Sequence, residues 1–479
     1  MKKIPIYLLL FLVFFSNADA FQFEQLIKAK SLENVEIKQF EDDGLAHFSY
    51  AVSVDGGMVL VDPGRDPQPY YDYAASKNAK IIGVIETHPH ADFVSSHLEI
   101  YQTTGATIYV SKLVGANYPH QAFDEGDEIV LSPNVKLRAV FTPGHSPDGI
   151  SIVVEENGED VAVFTGDTLF IGDVGRPDLR ESAGSIMAKR EELAKMMYKS
   201  TREKLMTLDD EVAVFPAHGA GSLCGKSMSQ EKSSTIGAEK ATNYALQEMT
   251  EAEFVSLLLE DQPFIPKYFP FNVDVNKIGA EPFVASVEKV TILERNYQPG
   301  PGSIIIDGRH EEEYKATHLE DAVNIMDGAK FETWLGSIVA PGDSFYLIGK
   351  DEVHLQALIS KTAKIGYETF IQGAFVFDAK DGIQSDTFDQ DLFDQNKDAF
   401  TIIDIRNAGE VAEGKVFENA INIPLPELME RAGEIPTGKP VVIHCGTGYR
   451  SAAGSSIVKN ALKTTKVLDM SGAILEYKK

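Results

Sequence analysis

The hydrophobic rhythm of the chain changes twice. From about Phe21 to Ser233, short apolar runs alternate with glycine-containing turns: Met58–Val61, Ile81–Ile85, Thr107–Val110, Val135–Phe141, Ile150–Val154 and Val161–Phe164. Runs of this length, rich in β-branched residues and bounded by turn signals, predict buried strands. Over Ser185–Lys199 the period lengthens, with Ile186, Leu193, Met196 and Met197 on one face, which predicts a helix. Residues 21–233 therefore read as one α/β domain. Residues 234–283 read as a helical extension and linker. A helix is expected over Ala238–Met249 and another over Glu251–Asp261, where Thr250 and Glu253 have the capping-box spacing. A Pro- and Phe-rich connector, Gln262–Asn272, follows.

Beyond residue 284 the pattern repeats itself. Ser303–Arg309 and Ala399–Arg406 are each an apolar strand ending in Asp-x-Arg, at Asp307/Arg309 and Asp404/Arg406. Each leads into an acidic helix, an Ala-x-Asn-Ile step (Ala322–Ile325, Ala420–Ile423) and a second apolar strand (Ser344–Ile348, Pro440–His444). Self-similarity of this kind predicts two copies of one α/β domain, over 284–375 and 385–479.

Composition narrows the partners. A net charge of −28 over 479 residues, spread rather than blocked, repels nucleic acid and anionic lipid. Lys2 and Lys3, the apolar run Ile4–Phe15 and the Ala18-Asp19-Ala20 step form an export leader, so residues 1–20 are expected to be a cleaved signal peptide. A soluble, periplasmic or secreted bacterial protein with no membrane contact after cleavage is expected. The two cysteines, Cys224 and Cys445, fall in different domains and are expected to be thiols.

The densest chemistry follows Ile81–Ile85: Thr87-His88-Pro89-His90-Ala91-Asp92. Three ligand-type side chains in five residues are costly to place together unless a cation lies between them. His145 after Gly144, Asp167 after Gly166, and His218 repeat the theme, each beyond a predicted buried strand. With Val61-Asp62-Pro63-Gly64 upstream, this order of motifs resembles the metallo-β-lactamase superfamily from about Leu45 to Leu223. The resemblance implies an αββα sandwich in which Asp62 props the metal loop. Binuclear zinc hydrolases of that superfamily carry a second His after the Asp of His-x-His-x-Asp; this chain has Phe93. The substitution favours one metal. The resemblance is then to the superfamily's persulfide dioxygenases, which implies one Fe(II) per chain on His88, His145 and Asp167. His90, Asp92 and His218 would lie nearby. Zinc, in a thioesterase-type hydrolase, is the alternative. Arg176 is expected to meet an anionic part of the substrate, with a loop-stabilising ion pair as its alternative role.

Pro440–Ser451 brings Cys445 into the loop Gly446, Thr447, Gly448, Tyr449, Arg450. Loop N–H groups, a helix N-terminus and Arg450 together favour a thiolate or persulfide anion. The segment from Ala399 to Ile474 resembles a rhodanese, and the C-x4-R spacing of Cys445 and Arg450 suits sulfur rather than phosphate. Lys415 stands where many relatives have His. The resemblance implies Cys445 and Arg450 as catalytic residues and Gly446–Tyr449 as the substrate loop. In the first copy Gly349 aligns with Cys445 and His354 with Arg450, so that copy lacks a nucleophile. Cys224 is expected to be a packed residue, with a relay thiol as the alternative.

The chain is thus expected to be an α/β multidomain protein: a metallo-β-lactamase-type sandwich followed by two rhodanese-like domains with parallel sheets. The implied partners are a low-molecular-weight or protein persulfide, O2, and sulfite or thiosulfate. A homo-oligomer is compatible with the resemblance. Cys445 either feeds persulfide to the metal or passes sulfur to sulfite. A non-catalytic sulfane-sulfur carrier is the remaining alternative.

Overall fold

The structure is a computed structural model that describes residues 30, 32–179, 189–380 and 382–478. The leader predicted over 1–20 and the first part of the helix predicted over 185–199 lie outside the described residues. Among the described residues, no helix is long and apolar enough to cross a membrane.

Two six-stranded sheets form the first layered unit. One runs in chain order from Glu36–Asp42 to Gln121–Ala122. The other has the order Ser234–Thr235, Ala213–Pro216, Glu159–Gly166, Ile150–Glu156, Val135–Phe141, Glu128–Ser132. The apolar runs are continuous because both faces of the strands are covered. Along Gly57–Val61, Val59 and Val61 meet Leu137, Ile152 and Phe164 of the opposite sheet. Met58 and Leu60 point the other way, toward Tyr70, Ala74 and Ile100 of the helices Gln68–Ser76 and His97–Thr104. Strand ends at Val61, Ile85, Phe141, Gly166 and Pro216 deliver the loops of the metal motifs.

Two four-stranded, wholly parallel sheets follow, as expected. Their orders match: Ala322–Asn324, Ile304–Asp307, Phe345–Gly349, Ile371–Val376 in the first, and Ile421–Asn422, Thr401–Asp404, Val441–His444, Val467–Asp469 in the second. The same side chains clamp both. Arg309 grips Asp307 and donates to the Thr317 carbonyl; Arg406 grips Asp404 and donates to the Gly414 carbonyl. Asn324 and Asn422 each donate to the carbonyls at both ends of the Asp-x-Arg turn. The recurring Asp-x-Arg and Ala-x-Asn-Ile steps are scaffold in both copies.

Three local expectations need correction. The later helix begins at Arg190 among the described residues and passes into a π-helical turn, Ser200–Lys204. The helix expected over Ala238–Met249 stops at Thr242, because the buried Asn243 side chain donates to the Phe170 and Asp173 carbonyls and to Glu239. The Pro/Phe connector is not a linker throughout. Phe269–Ile278 is helical, with Pro270 in its first turn where no N–H is needed. The predicted capping box at Thr250 and Glu253 is present, opening Glu251–Leu259.

Candidate metal centre and cysteine loop

The metal motifs meet at the strand ends, and all six side chains are buried: His88, His90, Asp92, His145, Asp167 and His218. Their roles separate by hydrogen bonding. Thr87 donates to Asp62 through both its N–H and its hydroxyl, at 2.7 and 2.9 Å. That leaves the hydroxyl oxygen to accept from His88 Nδ1 at 3.0 Å. His145 Nδ1 donates to the Arg176 carbonyl at 2.9 Å. Both rings are therefore held as the tautomer whose lone pair is on Nε2. These nitrogens lie 3.7 and 3.4 Å from Asp167 Oδ2. Burial holds His88 well below its ordinary value, so it stays neutral, as a ligand must. His88 Nε2 and Asp167 Oδ2 are buried with no hydrogen-bond partner. Two imidazole nitrogens and one carboxylate oxygen brought this close fit a metal ion.

The other three side chains, His90, Asp92 and His218, form a second buried group beside them, their ligand atoms within 4.8 Å of one another. His218 Nδ1 hydrogen-bonds to Asp167 Oδ1 at 2.7 Å, and its Nε2 lies 2.7 Å from Asp92 Oδ2. Burial opposes charge on this ring, but Asp167 and Asp92 outweigh it and push His218 up to about 10. His218 thus lies between the two carboxylates. His90 Nε2 faces Asp62 Oδ1 at 3.2 Å; its ligand atoms still lie within 4.8 Å of those of His88 and Asp167. Phe93 fills the adjoining space, with its ring centroid 4.4 Å from that of His90 and 3.9 Å from that of His47.

Three supports were not legible in the sequence. Asn276, on Phe269–Ile278, donates to the His90 and Phe93 carbonyls and accepts from Ser95 N–H, so it clamps the metal loop. Gly175 packs so closely that a Cβ would come within 1.9 Å of the Asp167 carbonyl. Cys224 is buried, as expected of a packed residue, but it packs at the metal centre. Its sulfur lies within 4.8 Å of ligand atoms of His145 and Asp167. Burial, then Asp92 and Asp167, hold its thiol well above the ordinary value.

Arg176 corrects the expectation of a substrate-facing cation. It is 1% exposed and forms a bidentate pair with Asp178 at 2.6 and 2.7 Å. It also donates to the Pro263, Leu223 and Phe264 carbonyls. Its fork is consumed in tying the metal domain to the extension, the ion-pair role.

The second constellation lies on the strand Val441–His444. Cys445 is fully buried, and its sulfur accepts from Gly448 N–H at 3.2 Å. Gly448 has φ +106°, and a Cβ there would strike the Ser471–Gly472 peptide, so only glycine permits this turn. The helix Tyr449–Ala461 starts immediately after and directs its N-terminal dipole at the sulfur. Arg450 is held by Glu410 through two bonds of 2.6 and 2.7 Å. Burial disfavours its charge, yet Glu410 keeps it above its ordinary value. Gly446 packs beside Arg450, Thr447 is exposed, and the Tyr449 hydroxyl donates to the Met326 carbonyl of the first copy. Tyr449 therefore joins the two copies instead of facing the loop's mouth.

In the first copy, Asp307 pairs with Ile348 as Asp404 pairs with His444, which puts Gly349 in the place of Cys445. A Cβ on Gly349 would meet the Leu355 backbone at 2.9 Å. His354 accepts from Lys350 N–H and faces Asp327. That loop has neither a sulfur nor space for one.

Residues 42–218 match the metallo-beta-lactamase superfamily, and residues 386–479 match the rhodanese-like domain. A crystal structure of a metallo-beta-lactamase from Staphylococcus aureus is similar at TM-score 0.64 and 31% identity, covering 72% of this chain and 99% of that one. The cytoplasmic hydroxyacylglutathione hydrolase of Arabidopsis thaliana is 34% identical over 134 residues, 27% of this chain and 52% of its own. The mitochondrial persulfide dioxygenase of Homo sapiens is 28% identical over 162 residues, 33% of this chain and 58% of its own. The chain thus spans about half the length of these two curated relatives.

Proposed function

This chain belongs to the metallo-β-lactamase superfamily, and we propose that within it the chain is a persulfide dioxygenase joined to a working sulfurtransferase domain. The reaction is R–S–S⁻ + O2 + H2O → R–SH + HSO3⁻. The outer sulfur gives up four electrons, dioxygen takes them, and the third oxygen of the product comes from water. The observation that carries the reading is that His88 and His145 present Nε2 toward Asp167 Oδ2, with Phe93 at the position after Asp92. Phe93 supplies no donor to the neighbouring His90, Asp92 and His218 group, which favours one metal over two sharing a bridging hydroxide. Two His and one carboxylate make the facial arrangement of non-haem iron oxygenases.

His88, His145 and Asp167 would hold the ion. Fe(II) there supplies an open coordination face at which a persulfide anion and dioxygen meet. The chain does the rest. Thr87 and the Arg176 carbonyl fix the two imidazole tautomers, and His218 pins Asp167 by its Oδ1 so that Oδ2 is presented. The burial of the whole set excludes bulk water from a reactive sulfur species. Cys445 carries sulfane sulfur, in either of two directions: toward the metal centre, or onto sulfite to give thiosulfate.

The test is oxygen consumption by the full chain, reconstituted anaerobically with Fe(II), on addition of glutathione persulfide. The expected result is uptake matched by sulfite plus thiosulfate. A fully iron-loaded chain without uptake would refute the reading. The likeness to a hydroxyacylglutathione hydrolase supports a second reading, a zinc thioesterase; it predicts thioester hydrolysis by the zinc-loaded chain.

A further inference from the structure

The inert copy reaches Asp92, which His218 links in turn to Asp167. Met326–Trp334 carries the Tyr449 contact at one end, while Lys330 and Thr333 turn toward the metal domain. There a chamber of about 10 Å³ is walled by three parts of the chain. Asp92, Ser222 and Leu223 come from the metal domain, Tyr268 from the extension, and Lys330 and Thr333 from the inert copy. This volume suits one water-sized molecule and nothing larger.

Its polar groups are complementary. Asp92 is 4% exposed; Oδ2 lies 2.7 Å from His218 Nε2, and Oδ1 is buried with no hydrogen-bond partner. Lys330 donates to the Gly221 carbonyl at 2.7 Å, the one hydrogen bond of its ammonium among the described residues, so two of its three donors remain. Burial holds that ammonium below its ordinary value, against the pull of Glu332 and Asp92. An orphaned carboxylate oxygen and spare ammonium donors are what a fixed water requires.

We propose that Lys330, a residue of the inert rhodanese-like copy, holds with Asp92 Oδ1 a single water beside the metal centre. Resting on the dioxygenase reading, this is the water the reaction consumes, and the copy without a nucleophile is a working wall of the oxidising site. Lys330 is a positioning residue: it acts through the water.

The experiment pairs a crystal structure of the full iron-loaded chain with kinetics of Lys330→Met and Lys330→Arg. The expected structure has one water within hydrogen-bond distance of Asp92 Oδ1 and Lys330 Nζ. Lys330→Met is expected to lower kcat for oxygen uptake about tenfold, the loss of one charge-assisted hydrogen bond. KM for glutathione persulfide, iron content and sulfur transfer by Cys445 should hold, and Lys330→Arg should recover most of kcat. An unchanged kcat, a change confined to KM, or a chamber without that water overturns the proposal. If Lys330→Met fails to fold, the water in the unaltered chain decides. A water in place with no oxygen uptake by the iron-loaded wild type would sink the dioxygenase reading and leave the water site standing.

Discussion

In the copy built on Phe345–Gly349, the strand passes into its helix through Gly349; in the copy built on Val441–His444, it passes through Cys445. Around that one position the skeletons agree. The Asp307–Arg309 and Asp404–Arg406 grips are the same, as are the Asn324 and Asn422 clamps. The difference is confined to the loop. Only the second copy has a sulfur facing a helix N-terminus, an Arg450 held by Glu410, and a Gly448 turn that brings an N–H to the sulfur. What makes a rhodanese-like domain fold is therefore separable from what builds its cysteine loop. The inert copy has kept the first and spends its surface on its neighbours. Its Lys364 carbonyl accepts from Val94 N–H in the metal loop, and the Lys364 ammonium pairs with Asp42 of the metal domain.

The largest expected effects divide chemistry between regions. Cys445→Ser should abolish thiosulfate-dependent sulfur transfer, a loss of about 10³-fold or more, since no other nucleophile replaces the thiol. His145→Ala should do the same to oxygen uptake while sulfur transfer persists. Loss of both activities in each variant would break the division. Next, Arg309→Ala and Arg406→Ala should each destabilise their own copy by about 3–5 kcal/mol, because each leaves a buried carboxylate unpaired. Chemical denaturation measures both. Markedly unequal losses would mean that one grip has a task besides folding.

Gly349→Cys sharpens the comparison further. It should confer no sulfurtransferase activity on a Cys445→Ser background and should cost about 1–3 kcal/mol, because the new Cβ overpacks the Leu355 backbone. Restored activity would show that the inert loop had kept a working cradle. The smallest effect expected in stability is at Asn276→Ala, about 1–2 kcal/mol for its lost hydrogen bonds. It should also weaken metal affinity about tenfold, since the metal loop loses its clamp, and metal titration would detect that.

Much of this was legible along the chain, for physical reasons. Strands buried on both faces advertise themselves as apolar runs, so Thr107–Val110 and Val135–Phe141 were readable to the residue. Ligand-type residues at strand ends marked the centre because burying them without a purpose is costly. What stayed hidden depends on partners far away in sequence. Asn276 and Lys330 sit in ordinary helical or polar context, and only the packing of three units brings them to the metal loop. The ion-pair role of Arg176 stood only as an alternative for the same reason: the carbonyls of Pro263 and Phe264 that occupy it lie in a distant Pro- and Phe-rich connector. The position of Cys224 had no local signal either, because a buried thiol after a Gly-rich turn reads as packing wherever it occurs.

The most direct test of the central claim is oxygen consumption by the iron-loaded Cys445→Ser chain on addition of glutathione persulfide. The division of chemistry predicts uptake with one sulfite formed per O2 and no thiosulfate made by sulfur transfer. No uptake from a chain carrying its full iron would contradict it, since the metal centre could then not oxidise a persulfide on its own.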